Sequence, residues 1–236
     1  MALPRLNENP EYSMTIPSTG EQVKFRPFLV KEQKVLMIAN ESQDKSQILS
    51  AMLKTISSCT NDTIDLHKLA TYDIDYMFTQ IRAKSVGEKA SVNIKCKECE
   101  ADVPIEIDLS KVTVKNNSKS NAVKLSSNME LVLQHPNYDT FIKNKEIIDG
   151  EENTETTLNF MIHCMHSLKT EEENIMMKDE SNEEKMRFLE SLSTEQFEKI
   201  AQYIQNVPKI TYDAEGVCES CNAKTNITLE GMENFF

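Results

Sequence analysis

Two periods of apolar residues trade places along this chain. Tyr12, Met14 and Ile16 recur at every second position, Pro17-Ser18-Thr19-Gly20 supplies turn chemistry, and Val23 and Phe25 resume the alternation. This predicts a β hairpin within residues 1–28, ended by Pro27. Over residues 29–86 the period becomes helical. Leu29, Val35, Leu36, Ile38 and Ala39 suit a first short helix. Ile48, Leu49, Met52, Leu53 and Ile56 share one face of a second, and Ile74, Met77, Phe78 and Ile81 share one face of a third.

From Ala90 the period returns to two. Ala90, Val92 and Ile94 lead into Cys96, and Val103, Ile105, Ile107 and Leu109 follow Cys99. Residues 115–128 are polar and read as a loop, and Met129 to Gln134 read as a strand stopped by Pro136. Residues 138–207 read as helix. Leu158, Met161, Ile162 and Met165 form one face, and Met186, Phe188 and Leu189 another. Ser193-Thr-Glu-Gln196 has the spacing of a capping box and opens a helix that ends before Pro208. Alternation resumes at Ile210, Tyr212 and Ala214 before Cys218, and at Thr225, Ile227 and Leu229 after Cys221.

The expected fold class is α+β. Its segments are an N-terminal hairpin (1–28), a helical segment (29–86), a β module split between 87–112 and 208–236, and an inserted, mostly helical, acidic region (113–207). The two halves of the split module form a weak repeat. Val103, Ile105 and Ile107 stand four, six and eight residues after Cys99, and Thr225, Ile227 and Leu229 stand at the same offsets from Cys221.

Charge and composition narrow the function. The 236 residues carry 38 acids and 26 bases, a formal −12, which repels a phosphate backbone and disfavours nucleic-acid and anionic-membrane partners. Residues 151–200 hold 13 acids and 5 bases, read as a solvated helix surface. There are 5 glycines, and the closest pair, Gly216 and Gly231, are 15 residues apart, so no glycine-rich phosphate loop exists here. The uncharged stretch from Thr156 to Leu168 is too short to span a bilayer, and the first residues lack the apolar core of a secretory signal. The expectation is a soluble protein of a reducing cytoplasm.

Four of the 6 cysteines form two C-x-x-C pairs, Cys96/Cys99 and Cys218/Cys221. Two hairpins, each bearing such a turn, are the parts of a four-cysteine zinc ribbon. Zn²⁺ takes four thiolates tetrahedrally at about 2.3 Å, and each C-x-x-C turn supplies one edge. Lys95, Lys97 and Lys224 lie near in sequence and would soften the charge of four thiolates. The separation is unusual, because 118 residues lie between Cys99 and Cys218. A metal here would clamp the middle of the chain to its C-terminal part. Unmetallated knuckles and a redox dithiol are the competing readings, and a catalytic metal is disfavoured because four cysteines leave no open position.

Other chemistry is thinner. His163-Cys164-x-His166 has a ligand-like spacing, but its apolar neighbours suit half-buried helix residues. No carboxylate pair or Ser/His/Asp set stands out for catalysis. The 12 methionines read mainly as core. Phe235 and Phe236 either fold back on the ribbon or dock on a partner.

Two further stretches carry a family resemblance. Val23-Lys-Phe-Arg-Pro-Phe28 runs at once into Leu29-Val-Lys-Glu-Gln-Lys-Val-Leu36. Phe188-Leu-Glu-Ser-Leu-Ser-Thr-Glu-Gln-Phe-Glu-Lys-Ile200 leads through Val207-Pro-Lys-Ile210 to the second C-x-x-C, and Leu229-Glu-Gly-Met-Glu-Asn-Phe-Phe236 closes the chain. Together these resemble the T4-like bacteriophage baseplate hub proteins, most of all those of T4-like marine phages. The resemblance implies a non-enzymatic structural subunit of a contractile tail's baseplate hub, or a hub assembly chaperone absent from the mature virion. It implies hub and tail proteins as partners, no small-molecule substrate, and residence in the virion and, during assembly, the host cytoplasm. A dithiol oxidoreductase is the less favoured reading. Phe25, Arg26 and Pro27 carry the family signature. Arg26, between two aromatics, is expected to stack on Phe25 or Phe28 and pair with a carboxylate, as a structural corner or an interface contact.

Overall fold

The computed structural model describes residues 10–115, 120–143 and 153–231. The chain divides into two compact units, residues 1–115 with 209–236, and residues 116–208. The architecture is α+β.

In the first unit, β1 (Tyr12–Thr15) and β2 (Gln22–Phe25) pair antiparallel with Met14 opposite Val23. Alternation places Met14, Ile16, Val23 and Phe25 in the core. Three helices follow: α1 (Val30–Ser42), α2 (Lys45–Cys59) and α3 (Thr71–Val86). Asp44 caps α2 by accepting from the Ser46 and Gln47 amides. The faces expected on α2 and α3 are buried through Met52, Ile56, Ile74, Met77 and Ile81. Helix α1 differs. Of the residues expected on it, Ala39 is buried and Leu36 half-buried, but Leu29, Val35 and Ile38 are exposed, and Glu32 is buried. Glu32 is held there by an ion pair, described below.

The split β module consists of two hairpins. Strands β3 (Lys89–Lys95) and β4 (Asp102–Asp108) form one. The other is β10 (Lys209–Val217) with β11 (Lys224–Glu230), widened by β5 (Thr113–Lys115), whose Val114 faces Ile210 across the pair. Residues 113–115 therefore belong to this sheet rather than opening the insert; three residues are too few for alternation to be seen in sequence. Ile105, Ile107, Leu109, Ile210, Ala214 and Leu229 pack into one shared core. Gly216 on β10 lets the hairpins approach. A Cβ there would lie 3.0 Å from Ile105 Cδ1 and Cγ1 and 3.4 Å from Val103 Cγ1.

The second unit carries its own antiparallel sheet, in the order β6 (Ala122–Lys124), β7 (Glu130–Leu133), β8 (Met165–Lys169), β9 (Asn174–Met176). Around it lie α4 (Tyr138–Lys143), α5 (Thr154–His163), α6 (Asn182–Glu190) and α7 (Thr194–Gln205). The capping box is present. The Gln196 amide donates to Ser193 Oγ at 3.4 Å, and the Ser193 amide donates to Gln196 Oε1 at 2.8 Å. Residues 165–169 and 174–176 are strands and correct the reading of 138–207 as helix. Helix α5 stops at His163, and Met165 reaches the same core as Met161 and Ile162 from a strand. An i, i+3, i+4, i+7 spacing does not distinguish a helix continued from a helix that turns into a buried strand.

Candidate metal centre

Each C-x-x-C lies at the tip of its hairpin, and the two tips share one backbone geometry. The Cys96 amide donates to Ala101 O at 2.9 Å, and the Glu100 amide returns a bond to Cys96 O at 3.0 Å. The Cys218 amide donates to Ala223 O at 2.9 Å, and the Asn222 amide returns a bond to Cys218 O at 2.8 Å. Glu100 and Asn222, at matching places, have φ of 57° and 56°, the left-handed region that closes such a turn. The repeat in sequence offsets is thus a repeat in structure. Val103 and Thr225, at the same step past the second cysteine, are both buried.

The tips bring the four thiols together. Cys96 Sγ is 3.7 Å from Cys221 Sγ, and Cys99 Sγ is 3.5 Å from Cys218 Sγ. All four sulfurs lie within 4.8 Å of one another. Four sulfurs at about 2.3 Å from one ion stand about 3.8 Å apart along the edges of a tetrahedron. The observed spacing is close to that, and the donor set is all sulfur, which suits a thiophilic ion. Cys96 and Cys218 are buried, and Cys99 and Cys221 are exposed. Among the described residues, this is the cluster of ligating side chains able to enclose an ion.

The turns also prepare the sulfurs. The Cys221 amide, followed by that of Ser220, works against burial to hold the Cys218 thiol down to about 7. The Glu98 and Cys99 amides lower Cys96 in the same way. Cys221 goes the other way. The Ala223 amide favours its thiolate, but the neighbouring Cys99, burial, Cys96 and Cys218 together push it up to about 12. One thiol in each pair is therefore predisposed to ionise, and an ion would displace the remaining protons. Lys95 pairs with Asp102 at 2.7 Å on the exposed strand edge.

The other sequence candidates fall elsewhere. At the signature corner, Arg26 Nη2 donates to Glu32 Oε1 at 2.9 Å and Arg26 Nη1 to Pro27 O at 2.9 Å. The Arg26 amide donates to Cys59 O at 3.0 Å. The second Glu32 oxygen accepts from the Leu29 amide at 2.9 Å, capping α1. Burial raises the Glu32 pKa, but the Arg26 hydrogen bond, the Leu29 amide and the Arg26 charge outweigh it and leave it lowered. Phe25 packs its ring beside Tyr12, with centroids 5.8 Å apart, and the Phe28 amide donates to Ser85 Oγ at 2.9 Å. Glu32 was legible only as an acid three residues after Leu29, the cap spacing. Asp73, fully buried, was also missed; its oxygens accept from the Ser18 and Ala70 amides and tie the first hairpin's turn to α3.

His163 closes α5 and His166 lies on β8, where its Nδ1 stands 3.2 Å from Gln134 Oε1. Both line a cavity of about 430 Å³ in the second unit, together with Asp139, Lys178 and Lys185. Cys59 and Cys164 are fully buried, and burial raises their thiols to about 11 and about 12. Phe235 and Phe236 lie outside the described residues. No helix among the described residues is long and apolar enough to cross a membrane.

Compared with protein-family models, the chain matches the model described as T4 bacteriophage base plate protein, over residues 9–236. The chain belongs to this baseplate family. The match takes in both cysteine hairpins and the insert between them. Membership gives the chain a structural role in a phage baseplate, a place in the virion tail, and other baseplate proteins as neighbours. No curated protein and no solved structure matches the chain.

Proposed function

We propose that this chain is a non-enzymatic structural subunit of the hub of a contractile-tail baseplate, shaped by a structural Zn²⁺ held by Cys96, Cys99, Cys218 and Cys221. The observation that carries the metal reading is the approach of four sulfurs within 4.8 Å from two tips 119 residues apart in sequence. Zinc suits the set because it prefers four soft or borderline ligands in a closed shell, and no coordination position is left for a substrate. The ion's work is to hold two hairpins together, and through them the chain on either side of the insert. Strands flank both pairs, unlike a dithiol that opens a helix for redox work. The corner at Phe25, Arg26 and Pro27 is a structural device in this reading, since its guanidinium is spent on Glu32 and Pro27 inside the fold.

The acid-rich stretch 151–200 supports a second reading, a transient hub assembly chaperone that shields a basic partner. The two are separated by quantitative mass spectrometry of purified mature particles, counting this chain against a tail protein of known copy number. A reproducible whole number of copies set by the tail's symmetry is the expected result. Absence from particles, with presence in assembly intermediates, would replace the subunit reading with the chaperone.

A further inference from the structure

Among the described residues, helix α1 carries most of the large apolar side chains left in solvent. Val30 is 79% exposed, Met37 57%, Ile38 55% and Val35 44%. At about 100° per residue, Val30, Lys34, Met37 and Glu41 fall within about 60° of arc, with Ile38 beside them. Glu32 and Ala39, the buried residues of this helix, lie on the opposite side. The exposed stripe is therefore not a fraying end. It is the outward face of a helix fixed at its start by the Arg26–Glu32 pair. Within it stand one cation and one anion, Lys34 and Glu41, both exposed and with no ion-pair partner among the described residues.

The spacing of these charges selects an occupant. We propose that this face is a self-association surface, on which α1 of one copy packs antiparallel against α1 of a second copy about a two-fold axis. With the axis between Met37 and Ile38, Met37 of each copy meets Ile38 of the other, and Lys34 of each copy meets Glu41 of the other. The Met37–Ile38 contact is then flanked by the Lys34–Glu41 opposite-charge pair, and each is made twice, as isologous symmetry requires. Parallel packing would set Lys34 against Lys34 and Glu41 against Glu41. One helix pair covers less than the roughly 800 Å² per partner of a standard interface. The association is therefore weak for free chains and is populated where an assembly holds copies close together. This inference stands apart from the metal site and from the hub reading.

The test is sedimentation equilibrium of the full chain from about 10 µM to about 1 mM at near-physiological salt. The wild type is expected to show a concentration-dependent dimer. Lys34→Glu and Glu41→Lys should each weaken dimerisation at least about fivefold, since two pairs become repulsive. The double variant Lys34→Glu/Glu41→Lys should return to within about twofold of wild type. Glu41→Lys is the sharpest arm. It makes an acidic chain less acidic, so bulk repulsion alone would strengthen association, whereas the pairing weakens it. Unchanged circular dichroism and melting of these surface variants exclude a folding effect. A chain that stays monomeric at every concentration, leaving the face to another protein, would overturn the proposal. So would a dimer indifferent to the single reversals.

Discussion

Cys96 and Cys221 stand with their sulfurs 3.7 Å apart although 125 positions separate them in the chain. A cross-link over such a span closes a loop of more than half the chain's 236 residues. In the chain-entropy account, closing a loop of about 100 residues is worth about 4–5 kcal/mol. The module also has its own apolar core, so loss of the ion should destabilise the first unit more than the second. Chelator treatment, or Cys96→Ser or Cys218→Ser, is expected to lower the melting temperature of the first unit by about 10 °C or more. Hydrogen exchange should rise across β3, β4, β10 and β11 and change little across β7 and β8. Uniform protection after chelation would count against a clamp.

The Arg26–Glu32 pair predicts an acid response. Its side chains are 14% and 6% exposed, so removing one partner leaves a largely buried charge. Glu32→Ala should cost about 3 kcal/mol, measured by urea unfolding at neutral pH. Arg26→Lys should cost less but remain measurable, because an ammonium cannot serve both Glu32 and the Pro27 carbonyl with the same planar fork.

The folded-state pKa of Glu32 is lowered. Its contribution is therefore complete above the ordinary carboxylate value of 4.5 and is lost as pH falls through the depressed value in the fold. Asp73 has the opposite sign. Burial raises it, outweighing the Ser18 and Ala70 bonds, so its ionisation costs stability as pH rises through the raised value. The difference between wild type and Glu32→Gln isolates the first effect. That difference should shrink on acidification below pH 4.5; a difference independent of pH would refute the ion-pair account.

Gly216 sits where the two hairpins meet, and its role is space rather than backbone freedom. Gly216→Val should destabilise by about 1–3 kcal/mol through overpacking against Ile105 and Val103. Pairing it with Ile105→Ala should recover part of that loss, a non-additivity read from a double-mutant cycle. Additive losses would mean the hairpins do not press on each other at this point.

What could be read from sequence was whatever repeats on a short period. The alternation around each C-x-x-C, the shared offsets of Val103 and Thr225, and the Ser193–Gln196 box are local patterns, and each appears in the fold. Where the reading failed, the cause was non-local. Ile38 satisfies a helical period, but Glu32, paired with Arg26, and Ala39 take the inward side of α1, so Ile38 faces out. Met165 satisfies the period of α5, but the helix ends two residues earlier and a strand carries it into the same core. Asp73 stands three residues after Ala70, the same cap spacing as Glu32, but its bond from the Ser18 amide, 55 positions away, left no mark in the sequence. The meeting of the two knuckles was inferred from ligand chemistry rather than from any pattern spanning the insert.

The central claim is that four thiolates close on one ion. Native mass spectrometry of the chain, purified without added metal and without chelator, tests it most directly. The account predicts a mass increased by one zinc less the protons it displaces, one ion per chain, lost together with the shift when Cys218 is changed to Ser. A metal-free mass, or a mass lowered by the hydrogens of two disulfides, would contradict it.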